Sequence, residues 1–290
     1  MVQDKTFGSR FWRFLNAFLL FMFALATFLP FVYIVACSFA TQAEILQKGF
    51  LLFPTKFSLE AYQYIFSTDS LARSMYVTIY ITVVGTVINI VFTVLMAYPL
   101  SHPYLMGRKT VIFLITFTMM FNPGIIPAFL VVKSMGMLNT WWALLIPNAI
   151  SAFNLIILKN FFAQIPSELK ESAKIDGAND LVILWRVVIP ISLSAIATFS
   201  LFYAVGNWNS FMNPLLYIND SKKWPIQILL RQIVLMSSGG AGDSEGVIVK
   251  IEPQTVKMAV VVVATAPILI VYPFLQKYFV QGVMVGSIKG

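Results

Sequence analysis

Few side chains in this sequence are equipped for acid–base, nucleophilic or metal chemistry. Its 290 residues include one histidine, His102, one cysteine, Cys37, and twelve carboxylates. A single histidine without a ligand cluster around it does not make a metal site. A single cysteine forms no disulfide within the chain. There is no Gly-x-x-x-x-Gly-Lys-Ser/Thr phosphate loop, so the chain is not expected to bind ATP by that route, and there is no His-Glu-x-x-His. No catalytic residue, no metal and no cofactor bound by this chain is expected. Four of the twelve carboxylates, Glu168, Glu171, Asp176 and Asp180, fall in one polar stretch, 165–190, set between two apolar ones.

The other polar group of note is neutral. Gly206-Asn-Trp-Asn-Ser-Phe-Met-Asn213 is the densest set of amides, with Asn148 and Asn154 before it and Asn89 earlier still. Two chemistries suit such residues. Asparagines in a helix bundle hydrogen-bond between helices. Alternatively Asn148, Asn154, Asn207, Asn209 and Asn213 line a pathway for a neutral, hydroxyl-rich solute, since an amide both donates to and accepts from hydroxyls. Trp208 would then stack on a sugar face.

The elements that must hold these residues are membrane helices. Hydrophobic residues make up 59% of the chain and charged residues only 11%, against roughly 25% charged in a soluble domain. Mean hydropathy is +0.82. The expectation is an all-α polytopic membrane protein, one transmembrane domain over 1–290. A span needs roughly 20 apolar residues, and six stretches qualify: 14–38, 74–98, 110–132, 141–162, 191–212 and 257–279. The first run is longer than a signal peptide's apolar core of roughly 7–15 residues and reads as an uncleaved span. Pro123, Pro127 and Pro147 lie in or beside spans, where proline kinks a helix and frees backbone groups.

The net charge of +8 points to membrane orientation, not to nucleic acid, because Lys and Arg favour the cytoplasmic side. Lys5, Arg10 and Arg13, then Arg108 and Lys109, then Lys159, Lys170, Lys174 and Arg186, and last Lys277 and Lys289, share one side in short segments. That puts both termini and 165–190 in the cytoplasm, and 39–73 and 213–256 outside. In 39–73, Ser58 is expected to cap a short interfacial helix with Leu59, Tyr62, Ile65 and Phe66 on one face. The glycine-rich 237–246 run reads as a mobile loop.

Stretch 165–190 reads as helix, glycine turn, helix. Pro166 suits a first helical turn. Glu168 and Glu171 sit early, where the helix dipole favours carboxylates. Gly177 can take the left-handed conformation that ends a helix. Asp180 can cap the second helix, in which Leu181, Leu184, Trp185 and Val188 form one apolar face. Such a face needs a cover, either the protein's own body or a partner's groove. The carboxylates avoid all six spans, unlike those of ion-driven carriers, which usually hold ionisable groups inside the membrane. Energy from outside the chain is therefore expected to enter through this loop. A self-sufficient channel or carrier remains the alternative. A membrane enzyme would need an acid, base or metal cluster that the sequence lacks.

Glu171-Ser-Ala-Lys-Ile-Asp-Gly-Ala178, with Leu184 and Ile189-Pro190, resembles the coupling loop of the membrane subunits of binding-protein-dependent ABC importers. That family's pattern is Glu-Ala-Ala, three residues, Gly, then a hydrophobic run ending in Pro. Ser172 replaces the usual Ala, and Leu184 stands where Phe is common. Asp176-Gly177-Ala178 resembles the carbohydrate branch, as do Phe53-Pro54, Gly136-Met-Leu-Asn-Thr140, Asn207-Trp-Asn209 and the tail. The resemblance implies a permease subunit forming half of a sugar pathway. A second, different permease subunit, two copies of a cytoplasmic ATPase holding ATP and magnesium, and an extracytoplasmic solute-binding protein would be its partners in the membrane. Glu168, Glu171, Ala173, Asp176, Gly177, Ala178 and Pro190 would couple to the ATPase. The tail Gly286, Ser287, Ile288, Lys289 and Gly290 would reach the ATPase interface. The carbohydrate carried would be an oligosaccharide or polysaccharide fragment.

Overall fold

The computed structural model describes residues 7–121, 123–237 and 254–287. They form helices and loops, with no strand among the described residues. In chain order these are α1 (Phe7–Ser38), α2 (Gln42–Lys48), α3 (Glu60–Ser67), α4 (Asp69–Ser101), α5 (Arg108–Met120), α6 (Ile125–Ser134), α7 (Trp142–Leu145) and α8 (Ala152–Ala163). Then come α9 (Ser167–Ile175), α10 (Asp180–Ile183), a π turn (Leu184–Val188), α11 (Ile189–Ile191), α12 (Leu193–Trp208), α13 (Met212–Tyr217), α14 (Ile226–Ser237) and α15 (Gln254–Ser287).

Phe11–Ser38, Asp69–Ser101 and Gln254–Val271 are each long and apolar enough to cross a bilayer. Among the described residues a fourth such segment is present only if Asp180–Ile191 and Leu193–Trp208, bent by 85°, count as one. The expected spans at 110–132, 141–162 and 191–212 are each interrupted. The first breaks between α5 and α6, where Pro123 precedes Gly124 at φ 85°. Proline cannot supply a helical N–H, and a left-handed residue ends the helical path. The second breaks between α7 and α8, around Pro147. The third breaks after Trp208 and restarts at Met212. Pro127 and Pro214 occupy the third residue of α6 and of α13. There a missing N–H costs nothing, because the first-turn N–H groups have no partner within the helix.

The chain divides into two compact units, and the first comprises 1–69 and 230–265. None of the most apolar stretch of α1 is buried within the chain. At its end Cys37, Ala40, Ile45 and Leu51 form a small core with Tyr33 and Met258. The Phe39 ring stacks on Phe57 at 5.1 Å and on Tyr62 at 4.9 Å. Ser58 does meet the start of α3, its Oγ accepting from the Glu60 amide at 3.2 Å. The buried face of α3 is Ala61 and Ile65, however, while Leu59 and Phe66 point outward. The Glu44 carboxylate accepts from Lys48 Nζ at 2.9 Å and from the amides of Thr55 at 2.8 Å and Lys56 at 3.2 Å. Bonds from Thr55, Lys48 and the Thr55 and Lys56 amides hold its carboxyl down to about 2.

The second unit comprises 70–229 and 266–290. One core joins Val77 and Ile81 of α4 to Val132, Leu144, Tyr217 and Ile218. Beside it the Gly136–Thr140 turn needs left-handed backbone at Gly136 (φ 67°) and Asn139 (φ 59°). Asn139 Oδ1 accepts from the Asp220 amide at 3.0 Å, and its own amide donates to the Tyr217 carbonyl at 2.7 Å. A larger core joins Val94, Ala97 and Tyr98 of α4 to Leu155, Leu158 and Phe162 of α8. Ile183, Leu184, Val188 and Phe199 belong to the same core. It is this core that positions the 165–190 segment.

Candidate functional site

The 165–190 segment starts from α8. Ile165 is buried in the larger core. Pro166 stands just before α9, at ψ 134°, not inside its first turn. That extended ψ redirects the chain between two helices, and α9 begins at Ser167 with Glu168 in its first turn. The end of α9 forms a complete Schellman motif. The Ala178 amide donates to the Ala173 carbonyl at 3.0 Å, and the Gly177 amide to the Lys174 carbonyl at 3.0 Å. Asp176 is the C-cap residue and Gly177 adopts φ 80°. No atom lies within 4 Å of where a Gly177 side chain would begin. Its requirement is thus conformational, since left-handed backbone costs a side-chain-bearing residue roughly 1–2 kcal/mol. The motif brings Ala173 and Ala178 together, as such caps favour, and both pack on the larger core. Their small size lets the helix end lie close to the bundle.

Two lysines fasten the segment further. Lys170 Nζ donates to the Phe162 carbonyl at 3.2 Å, satisfying an end group of α8, and burial pulls its pKa below the usual lysine value. Lys174 Nζ lies 3.4 Å from Asp180 Oδ1 across the glycine turn, with both side chains more than half exposed. Pairs of that kind contribute little. The cap of α10 is Asn179, not Asp180 as expected: Asn179 Oδ1 accepts from the Val182 amide at 2.8 Å. Asp180 occupies the first turn instead, where the helix dipole suits it.

The expected apolar face of the second helix splits in two. Ile183, Leu184 and Val188 are buried. Leu181 and Trp185 are 61% and 59% exposed. The π turn over Leu184–Val188 brings residues five apart into line, so Ile183 and Val188 share the inner side and the four-apart pair Leu181 and Trp185 is left outside. Ile175 is 87% exposed on the neighbouring helix. Glu168, Glu171, Asp176 and Pro190 are exposed as well. The segment therefore carries a firm inner side of alanines and aliphatics and an outer side of carboxylates, Ile175, Leu181 and Trp185.

Of the amides expected to line a pathway, one, Asn207, joins Asn89 in a partly buried network, and Asn148 enters it through its backbone carbonyl. Asn89 Nδ2 donates to the Asn148 carbonyl at 2.7 Å and to the Ala149 carbonyl at 3.0 Å. Asn207 Nδ2 donates to Asn89 Oδ1 at 3.0 Å. One turn along, Tyr203 OH lies 2.8 Å from Thr93 Oγ1 and accepts from the Ser151 amide at 3.0 Å. Both sets serve the break between α7 and α8, where carbonyls and amides that leave the helical pattern need other partners. Asn154, Asn209 and Asn213 are not drawn in. Asn154 is buried, with its amide on Ser151 Oγ at 3.4 Å. Asn209 is exposed and bonds the Val205 carbonyl at 3.0 Å. Asn213 is half-buried, and the Asn148 side chain is exposed. Trp208 is buried and lines an apolar cavity of about 470 Å³ with Val83, Val87, Val205, Pro267 and Ile268.

Sequence reasoning missed Thr93, Tyr203 and Ser151. Their signal was spacing: Asn89 and Thr93, and likewise Tyr203 and Asn207, are four apart and so share a helix face. Gly286 and Ser287 close α15, while Ile288, Lys289, Gly290 and most of the glycine-rich run lie outside the described residues.

Residues 106–285 match the family described as the binding-protein-dependent transport system inner membrane component. The chain is 56% identical over 273 residues to the polygalacturonan/rhamnogalacturonan transport system permease protein YtcP of Bacillus subtilis (strain 168), covering 93% of this chain and 96% of that one. It is 28% identical over 277 residues to the trehalose/maltose transport system permease protein MalG of Thermococcus litoralis, covering 93% and 94%. Among solved structures, it superposes on a chain of a bacterial ABC transporter involved in the import of the acidic polysaccharide alginate. That match has TM-score 0.88 and 34% identity, and covers 96% of this chain and 100% of that one.

Proposed function

Because this chain belongs to the family of binding-protein-dependent transport system inner membrane components, we propose that it forms half of the sugar pathway of an ATP-driven importer whose substrate is an acidic oligosaccharide. It is a carbohydrate ABC importer permease. The preference for an acidic sugar rests on two relatives, one named for polygalacturonan and rhamnogalacturonan and one for alginate. Uronic acid units are common to those three polymers.

In this reading a second, different permease subunit completes the pathway, and two copies of a cytoplasmic ATPase supply the energy. A solute-binding protein delivers the sugar. ATP and magnesium sit on the ATPase, not on this chain. Six spans cross the membrane, three of them through broken helices, and both termini face the cytoplasm. The observation that carries the coupling role is the two-sided build of 165–190. Ala173, Ala178, Ile183, Leu184 and Val188 hold it to the bundle, while Glu168, Glu171, Asp176 and Ile175 are left to a partner. A groove on the ATPase would take α9 and the Gly177 turn, and Leu181 and Trp185 would add apolar contact at its edge. Pro190 ends the segment. Asn148, Asn209 and Asn213 are the amides available to sugar hydroxyls, and the tail from Gly286 to Gly290 reaches toward the ATPase.

The decisive experiment reconstitutes the subunit in proteoliposomes with its ATPase, second permease and binding protein. ATP hydrolysis is then measured with oligogalacturonides, alginate oligosaccharides and maltodextrins. Stimulation by the uronate oligomers alone supports the reading. Equal stimulation by maltodextrins refutes the acidic preference, and sugar flux through the subunit alone without ATP would favour the channel alternative.

A further inference from the structure

The importer reading leaves open what holds the pathway helices while the ATPase waits. The broken helix offers a physical answer. Between α7 and α8 the chain leaves helical geometry at 146–151, and two helices close on that gap from either side. Asn89 and Thr93 project from α4, and Tyr203 and Asn207 from α12, in two rungs one turn apart. The first rung ties Asn207 to Asn89 and Asn89 to the Asn148 and Ala149 carbonyls. The second ties Thr93 to Tyr203 and Tyr203 to the Ser151 amide. Asn89 is 2% exposed. Both its amide protons and its carbonyl are engaged, so three separate chain segments meet on one side chain.

The rungs also depend on Gly85. A side chain starting there would lie 2.8 Å from Asn207 Nδ2 and 3.2 Å from Leu145 Cδ2. Only the lack of one lets Asn207 lie across α4.

The gap leads directly to the coupling segment. α8 begins at Ala152, capped by Ser151 Oγ, and ends at Ala163, with three residues between it and α9. Its inner residues Leu155, Leu158 and Phe162 share one core with Ile183, Leu184 and Val188. That core, which also takes in Val94, Ala97 and Tyr98 of α4 and Phe199 of α12, carries α8 and the 165–190 segment together, and the non-helical residues 146–151 link it to the separate core around α7 and are the pivot between the two. Every bond in the rungs is between neutral groups, so breaking one strands no buried charge. Interhelical bonds of this kind in membranes are individually weak, which suits a latch that must open on each cycle.

We infer that Asn89, Asn207, Thr93 and Tyr203 are positioning residues: a two-rung latch that holds the α7–α8 pivot in its present arrangement and makes ATP-driven movement depend on the binding protein. The inference rests on the importer reading. It is tested on the reconstituted complex with Tyr203→Phe, Gly85→Ala and Asn89→Leu. The readout is the ratio of ATP hydrolysis with loaded binding protein to hydrolysis without it, alongside the thermal midpoint of each complex. Tyr203→Phe keeps the ring and removes only the hydroxyl. Loss of one to two bonds is expected to raise binding-protein-independent hydrolysis about three- to tenfold, with the stimulation ratio falling to match.

Gly85→Ala should reproduce this effect and add nothing in an Asn207→Ala background, since it acts by displacing that amide. Should Asn89→Leu fail to assemble, the other two variants decide. An unchanged ratio, or both rates falling together with the thermal midpoint, would show that the rungs only pack the bundle and would overturn the latch. Failure of the importer reading looks different: the unsubstituted complex would then show no hydrolysis stimulated by its binding protein.

Discussion

Among the short helices described that end on left-handed glycines, α2 and α9 carry carboxylates that meet opposite fates. α2 ends at Gly49, φ 63°, and its Glu44 is buried and bonded by Lys48 and by the backbone of 55–56. α9 ends at Gly177, φ 80°, and Glu168, Glu171 and Asp176 around it are exposed, with no ion pair among the described residues. The first arrangement spends its acid on its own loop. The second fixes its backbone with a Schellman cap and small alanines and leaves its acids outward. A carboxylate satisfied inside the chain organises structure, and a cluster held rigid but unsatisfied is suited to a partner's donors.

Substitutions can break or sharpen this contrast, and the largest effect is expected at the seat of α9. Ala173→Leu adds bulk against the larger core at a cost of about 1–3 kcal/mol, tilting α9. Sugar uptake should collapse while the isolated subunit still inserts, as measured by uptake assays and membrane fractionation. Gly177→Asp comes next. Asp tolerates left-handed backbone better than most residues, so the added carboxylate beside Asp176 is the main perturbation, and coupled uptake should fall with ATPase assembly on the membrane reduced. Normal uptake in that variant would remove the docking role of the turn. Asn179→Ala removes the α10 cap at a cost of about 1 kcal/mol, and a modest drop in thermal midpoint should accompany near-normal uptake.

The smallest effect on transport is expected at Glu44. Its carboxyl is held at about 2 against an ordinary 4.5. A depressed carboxylate adds stability that is complete above its unfolded pKa and lost as pH falls through the folded one. Exchange protection of the Thr55 and Lys56 amides should therefore weaken progressively between about pH 4.5 and pH 2. Glu44→Gln should flatten that dependence and leave uptake at neutral pH unchanged. A transport defect in Glu44→Gln would erase the distinction between the two helices.

Composition was sufficient for an all-helical membrane protein, and spacing was sufficient for the 165–190 turn, because Gly177 has a local backbone reason to end α9. The breaks were only half legible. Pro123 and Pro147 marked where helices would be disturbed, but hydropathy is blind to whether a proline kinks a helix or ends it. The apolar face of α10 was misjudged for a different reason: a regular 3.6-residue period cannot anticipate a π turn. Thr93 and Tyr203 escaped notice because their role lies in tertiary pairing. Asn89 could be read as a polar residue in a span, but nothing local names the Asn148 and Ala149 carbonyls as its acceptors.

The π turn at Leu184–Val188 also bears on how this protein tolerates changes in length. Such a turn is an α-helix carrying one surplus residue, and one residue rotates everything beyond it by about 100°. Deleting a single position there would restore an ordinary helix. It would also swing Pro190 and the entry to α12 out of register with the core that Leu184 and Val188 now fill. A change of residue type in this stretch alters one contact, whereas a change of residue number re-aims the helix that follows.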